Sequence, residues 1–292
     1  MGSEEFVSIV VATYNRHRFV GKCLQALIEQ SHRNVEIIIC DDNSTDETVA
    51  LVTEFMRSDP RVKLVRSSIN SGPAGARNRG IKQARGNYIF FTDDDVIVPR
   101  DWISTGLRIF ENDDCVGVEG QIIYVSSTYK PRYSDRAVGH TSGNSYMTAN
   151  MAYRRDVLFN AGLFNESLRV LEDLDLALKV LKYGSIVFSR DFSVTHMHEQ
   201  HTLKSFFLVA RGSSRWVQYD IINNQRNYMF WFIYRPMKLL TLFFPPLIFG
   251  GLFTARFASP YDYLLLLELY PRLWYERILV WRWAIRYRKF VI

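Results

Sequence analysis

The stretch FVSIVVATYNR, residues 6–16, decides the fold. Residues 6–12 form an apolar run of strand length, and soon after it Val20, Cys23, Leu24, Leu27 and Ile28 recur at helical spacing on one face. The alternation continues outward to about Arg190. Strands are expected at residues 6–12, 35–40, 62–66, 88–92, 115–122 and 185–189. Ser44 and Glu47 have capping-box spacing, opening a helix whose Val49, Val52, Phe55 and Met56 face the sheet. Gly72-Pro73 opens a second helix that runs to Arg85 and Gly86, and Leu174, Leu178 and Leu181 form the buried face of a third. Strand and helix in turn predict an α/β domain with a mostly parallel central sheet.

At 292 residues, 48% hydrophobic and 23% charged, the chain can bury an ordinary core, which excludes a disordered or fibrous protein. Cys23, Cys40 and Cys115 are odd in number and contain no C-x-x-C pair, which argues against a disulfide framework or zinc site and for a reducing compartment. The N-terminus carries no basic-then-apolar signal, and Phe6 stands where a myristoylation motif needs Ser or Thr. Residues 126–144 are polar, Tyr-rich and without period, and read as a mobile loop.

The net charge of +6 is unevenly spread: residues 1–225 carry −1 and residues 226–292 carry +7. The second segment also holds 19 of the 42 aromatic residues, so a domain boundary belongs near Asn227. Between Lys238 and Arg256 lie 17 uncharged residues, broken by Pro245-Pro246 and Gly250-Gly251 and short of the roughly 20 that span a bilayer. Beyond them Trp274, Trp281 and Trp283 mix with Arg272, Arg277, Arg282, Arg286, Arg288 and Lys289. Aromatics among cations suit the lipid headgroup layer, so residues 226–292 are expected to be a helical membrane-interface tail, peripheral or monotopic. A helical cap on the domain or on a second subunit is the alternative, and the tail is then a surface for homo-oligomerisation. Nucleic acid is not the expected partner, because these cations are interleaved with long aliphatic runs.

Three acidic clusters fall just past strand ends, where α/β domains place ligands. Asp41-Asp42 can accept hydrogen bonds from a nucleobase or ribose, or can serve as turn acids. Thr92-Asp93-Asp94-Asp95 sets three mutually repelling carboxylates after an apolar strand, which calls for a compensating cation such as Mg²⁺ or Mn²⁺ able to bridge a diphosphate; a solvated acidic turn is the alternative. Glu172-Asp173-x-Asp175 opens a helix, where the backbone dipole favours acids, and offers a general base for an acceptor hydroxyl. Arg77 and Arg79 can face a diphosphate, with a surface role the alternative for Arg79, and His196 or His198 can complete a metal site made by carboxylates or serve a structural role.

These motifs, VSIVVATYNR at 7–16, CDDNSTD at 40–46, Ala76-Arg77-Asn78, Thr92-Asp93-Asp94-Asp95 and Glu172-Asp173, in this order and spacing, resemble the family 2 glycosyltransferases of the GT-A fold over residues 6 to about 200. The resemblance implies a catalytic domain at 1–225 that transfers a sugar, of hexosyltransferase type, from a nucleotide-diphosphate donor to a hydroxyl acceptor with inversion. It implies that Thr13, Tyr14, Asn15 and Asp42 hold the nucleoside and that Arg77 lies near the base or phosphates. Thr92 replaces the first acid of the family's D-x-D motif, so Asp94 takes the main metal-ligand place, with Asp93 toward the ribose and Asp95 supporting. Asp173 matches the catalytic base, Glu172 lies beside it at the donor, His196 matches a metal-ligating histidine of some members, and Asn150 lies in the segment bordering sugar and acceptor. With a membrane-interface tail, the acceptor expected is a lipid-linked or membrane-associated glycan at the cytoplasmic face of the cell membrane.

Other classes fit less well. A phosphatase built on Asp93-x-Asp95 lacks a later Gly-Asp-x-x-x-Asp, and Gly72-Pro73-Ala74-Gly75 is not the G-x-G-x-x-G of a dinucleotide enzyme. A non-catalytic nucleotide-binding membrane adaptor with the same fold is the runner-up, and the retention of Asp94 and Asp173 argues against it.

Overall fold

A computed structural model of the chain describes residues 5–125, 143–168 and 171–197, and in the tail residues 274–275, 278–279 and 281–282. The mobile loop expected at 126–144, His198 and the boundary near 225 therefore lie almost wholly or wholly outside the described residues, as does nearly all of the tail. Among the described residues no helix is long and apolar enough to cross a membrane. The chain divides into two units, residues 1–127 with 138–198, and residues 128–137 with 199–292. The first unit holds the entire described sheet.

Strand β1 (Val7–Thr13) is buried along nearly its whole length because both faces are covered. It pairs in parallel with β2 (Val35–Asp41), which pairs in parallel with β3 (Val62–Arg66). On its other side β1 pairs in parallel with β4 (Tyr88–Asp93), in a register that sets Thr13 opposite Asp41 and Ala12 opposite Asp93. The chain thus walks outward from β1 to β3 and returns to the opposite flank, leaving a topological switch point at the carboxyl ends of β1 and β4.

The far half of the sheet is mixed. It holds β5 (Val96–Ile97), β6 (Gly117–Val125), β7 (Asn150–Arg154) and β8 (Ile186–Met197), and the full order is β3-β2-β1-β4-β7-β6-β8-β5. Strand β7 runs antiparallel to both β4 and β6, and β5 runs antiparallel to β8, placing Val96 opposite His196. Two of these strands are not among those expected from sequence: β5 is two residues long, and the NMAYR of β7 lacks a β-branched run.

Two cores cover the two faces. Helix α1 (His17–Ile28) buries Val20, Cys23, Leu24 and Leu27, as its spacing predicts, against Val7, Ile9 and Val11. Helices α2 (Thr48–Ser58) and α4 (Trp102–Asn112) share that core. The opposite core packs Val10, Ile38 and Cys40 against α3 (Gly72–Gln83), α5 (Arg155–Asn160) and α6 (Glu172–Val180). Helix α3 lies so close to the sheet that a Cβ at Gly80 would come within 2.5 Å of the Cys40 sulfur and 2.6 Å of Val10.

Four local expectations change. Ser44 does not cap α2: its hydroxyl accepts from the Asn15 backbone, and Asp46 instead receives the Thr48 N–H. The inward face of α2 turns on Val52, with Leu51 and Phe55 partly buried, while Met56 is exposed. Helix α3 ends at Gln83, before Arg85 and Gly86, where the Ala84 backbone turns extended. In α6 the buried apolar residues are Leu176, Ala177 and Val180, whereas Leu178 and Leu181 face solvent. That last segment carries two interleaved apolar sets, and only the packed surface chooses between them.

Buried Glu119 on β6 ties down the segment that precedes β7. It accepts the backbone N–H groups of Asn144, Ser145 and Tyr146 at 2.7, 3.0 and 2.7 Å. Two of those residues, Asn144 at φ 78° and Tyr146 at φ 55°, are in the left-handed region, which non-glycine residues hold only under such constraint.

Candidate active site

At the switch point lies a cavity of about 490 Å³, lined by residues that include Thr13, Tyr14, Arg16, Asp42, Arg77 and the run Asp93-Asp94-Asp95 with His196. Thr13 ends β1, Asp93 ends β4, and Asp42 follows β2, so three parallel strand ends deliver the polar groups. Among the described residues the Nε of Arg77, in this lining, is buried without a hydrogen-bond partner.

Asp42 is fully engaged by the protein. It accepts from the Ser71 backbone and hydroxyl at 3.1 and 2.9 Å, from the Gly72 backbone at 2.6 Å and from Arg79 Nη2 at 2.7 Å. Burial pushes its carboxyl up, but those bonds outweigh burial and hold it below the usual carboxylate range. Gly72, at φ 86°, is what brings its N–H to that oxygen. Arg79 accordingly belongs to Asp42 and is absent from the cavity wall.

The acidic run leaves the strand after Asp93, and Asp94 and Asp95 form the turn that leads into β5. The turn brings Asp93 and Asp95 together: their ligand atoms, with that of His196, lie within 4.8 Å of one another. Strand β8 brings His196 there, its Nε2 3.3 Å from Asp95 Oδ1, and the Met197 N–H bonds the Asp95 carbonyl at 2.8 Å. Asp94 is held by Arg16, whose Nε lies 3.0 Å from it, and lies near Thr13. Of the expected ligands Asp94, Asp95 and His196, the structure groups Asp95 and His196, with Asp93 rather than Asp94 as the third member. Two hard carboxylates and one imidazole suit Mg²⁺ or Mn²⁺, so the residues fit such an ion. Part of the charge compensation that the three acids demand comes from the protein: Arg16 Nη2 also pairs with Asp95, and Arg77 Nη2 lies 2.8 Å from Asp93. Burial pushes Asp94 up to about 6 and raises Asp95 as well, against the pull of these cations.

Arg77, 5% exposed, joins the acidic run to the start of α6: its Nη1 lies 2.9 Å from Glu172. Burial disfavours its charge, and Asp93, Glu172 and Asp173 more than restore it. Glu172 is therefore a partner of Arg77 and does not line the cavity. Asp173, half-buried beside it, is pushed up to about 7 by burial and by Glu172, and opposed by the Leu174 N–H and by Arg77. Leu171, at φ 64°, sets the backbone that leads into these two acids.

Two other expected contacts lie elsewhere. Asn150 is a core strut: its Oδ1 accepts from Trp102 Nε1 at 2.9 Å, and its Nδ2 donates to the Gln121 and Phe192 carbonyls at 3.0 and 2.8 Å. No part of it is exposed, because β7 lies mid-sheet beside β4. Asn15, at φ 54°, braces the loop after β2 by accepting the Thr45 N–H at 2.8 Å, and it too is absent from the cavity wall. Arg16, which no motif singled out as a site residue, is in that wall. A signal was available: α1 has no acid in its first turn, and a cation at a helix N-terminus opposes the backbone dipole unless acids lie nearby.

The model of glycosyl transferase family 2 matches residues 8–166, more than half of the chain. The chain belongs to glycosyl transferase family 2. Among curated members, the glycosyltransferase GlyG of Streptococcus pneumoniae is 28% identical over 208 residues, 70% of this chain and 66% of that protein. The succinoglycan biosynthesis protein ExoO of Rhizobium meliloti is 32% identical over 197 residues, 61% of this chain and 56% of that protein. The UDP-Glc:α-D-GlcNAc-diphosphoundecaprenol β-1,3-glucosyltransferase WfaP of Escherichia coli is 38% identical over 101 residues, 35% of this chain and 38% of that protein. The chain spans between 31% and 66% of the length of the first three curated relatives that it matches. Among solved structures, the mannosyltransferase PcManGT of Pyrobaculum calidifontis, in complex with GDP-Man and Mn²⁺, superposes with a TM-score of 0.64 at 17% identity over 95% of this chain and 86% of that one. Residues 1–349 of S. aureus TarS, in complex with UDP-GlcNAc, give 0.58 at 18% identity over 97% and 92%. The family's GT-A-like α/β architecture, with a mostly parallel sheet, is the fold of this chain.

Proposed function

We propose that the chain is a metal-dependent glycosyltransferase moving a sugar from a nucleoside-diphosphate donor to a hydroxyl acceptor by a single in-line displacement with inversion. The observation that carries this reading is the guanidinium of Arg77, which holds Asp93 of the acidic run and Glu172, the neighbour of Asp173, at its two ends. One buried arginine thereby links the acidic run of the cavity to the helix start that carries the base.

Thr13 and Tyr14 offer the wall against which the nucleoside lies, and the cavity is of nucleotide size. Asp93, Asp95 and His196 would hold the divalent ion, which when bound supplies charge stabilisation to the departing diphosphate. Arg77 adds a fixed cation to that electrostatic field. Asp173 takes the proton of the acceptor hydroxyl, and a carboxyl with a pKa of about 7 is well matched to that step at neutral pH. The structure of PcManGT with GDP-Man and Mn²⁺ and that of TarS with UDP-GlcNAc support a nucleotide-sugar donor. Of the two ions, Mn²⁺ is the better first choice, because the set includes an imidazole.

The acceptor we propose is a lipid-linked glycan at the cytoplasmic face of the membrane, reached through the aromatic and basic residues 226–292, which also offer a surface for self-association. Its support is the composition of that segment and the diphosphoundecaprenol acceptor in the name of WfaP. Calorimetry with a panel of nucleotide-diphosphate sugars, with Mn²⁺ and with chelator, tests the reaction class: one donor should bind only with the ion and be turned over. Binding without turnover would leave a nucleotide-binding adaptor, and no binding would reject both. Flotation of the full chain on phosphatidylglycerol vesicles against phosphatidylcholine vesicles tests the membrane partner, and recovery in neither would reject it.

A further inference from the structure

We propose that Arg16 is an internal counter-cation that competes with the divalent ion for the acidic run and thereby sets how tightly the empty enzyme holds that ion. The proposal rests on the reading of Asp93, Asp95 and His196 as the ion's ligands. Both oxygens of Asp95 are already engaged: Oδ1 lies 3.3 Å from His196 Nε2, and Oδ2 takes Arg16 Nη2. The same guanidinium holds Asp94 through Nε at 3.0 Å. One cation thus spans two of the three carboxylates, the adjacent pair of the turn, while Arg77 serves the third. Full ligation of an ion by Asp95 needs the charge that Arg16 neutralises, so ion and guanidinium cannot both hold that carboxylate at full strength.

Arg16 is also placed to move. It leads into α1, its guanidinium carbon lies 4.8 Å from the centre of the Phe19 ring, and it is part of the cavity wall beside Thr13 and Tyr14. A guanidinium released from Asp95 remains inside the cavity, where a diphosphate is a matching bidentate partner. Ion and nucleoside diphosphate then strengthen each other's binding through Arg16, each taking one of the two charges that are paired when the site is empty.

The test measures Mn²⁺ affinity by calorimetry on the full chain, wild type against Arg16→Gln and Arg16→Lys, first alone and then with UDP or GDP present. Without nucleotide, R16Q should bind Mn²⁺ about tenfold more tightly than wild type, the size expected for removing one competing charge at a partly exposed site. R16K, a point charge that cannot span two carboxylates, should fall between them and covers the case in which R16Q does not fold. With nucleotide, the gain in Mn²⁺ affinity seen in wild type should shrink in R16Q. Equal Mn²⁺ affinity in all three overturns the proposal and leaves the metal site standing. Absence of Mn²⁺ binding in all three, with or without nucleotide, overturns the metal reading and the proposal with it.

Discussion

Asp93 and Glu172 take the two ends of a single buried guanidinium, at 2.8 and 2.9 Å from Nη2 and Nη1 of Arg77. The arginine ties the end of β4 to the start of α6 and does so inside the protein, where removing one partner of an ion pair is far costlier than at the surface. Arg77→Met should lower unfolding free energy by roughly 3–5 kcal/mol, because two carboxylates lose their shared partner. Arg77→Lys should recover only part of that, since an ammonium cannot fork to both. Urea unfolding of the three proteins checks it, and a variant as stable as wild type would deny the bracket its role.

Asp173→Asn should spare donor affinity and lower turnover by about 10²–10⁴, the range of a general base. Turnover near that of wild type would remove the assignment.

The same carboxyl fixes a pH profile. Its pKa of about 7 lies above the ordinary 3.8, so the proton-accepting form is a minority below pH 7 and dominates above it. Turnover should rise with pH to a plateau above about 7, and the limb should vanish in D173N. Stability runs the other way. A carboxyl raised on folding contributes stability that is full below its unfolded value and is lost as pH rises through its folded value. D173N should therefore gain on wild type in melting temperature between pH 5 and pH 8.

Asn150→Ala should cost stability and leave donor affinity alone. It strands Trp102 Nε1 and two backbone carbonyls in the core, at roughly 1–3 kcal/mol for each unsatisfied group. Weaker donor binding with unchanged stability would restore Asn150 to the donor site.

On α6, Leu176→Ala should cost roughly 2–5 kcal/mol, whereas Leu178→Ala should stay within about 0.5 kcal/mol. Leu176 is wholly buried and Leu178 is 45% exposed. Urea unfolding of the two variants checks the difference.

That pair also marks where the sequence can be read and where it cannot. The spacing of Val20, Cys23, Leu24 and Leu27 admits one helical face, and the chain uses it; in α6 two faces compete, and only the opposing core decides. The parallel strands were legible because they are continuous apolar runs, while β7 depends on its neighbours for its conformation. At the site, the residue types of the acidic run, Arg77 and His196 were legible as polar groups at strand ends. Their grouping was not, because it follows from the turn at Asp94-Asp95 and from a β8 register that no local motif encodes. Asn15 shares a motif with cavity residues yet serves as a brace, and so does Asn150 in its own segment, a distinction made only by what their amides touch.

The three N–H groups gathered by Glu119 carry an implication for how this scaffold can diversify. Glu119 grips the main chain and is indifferent to which side chains hang from it. The path into β7 is therefore preserved under substitution so long as residue 119 keeps its carboxylate and residues tolerant of left-handed geometry are kept at 144 and 146.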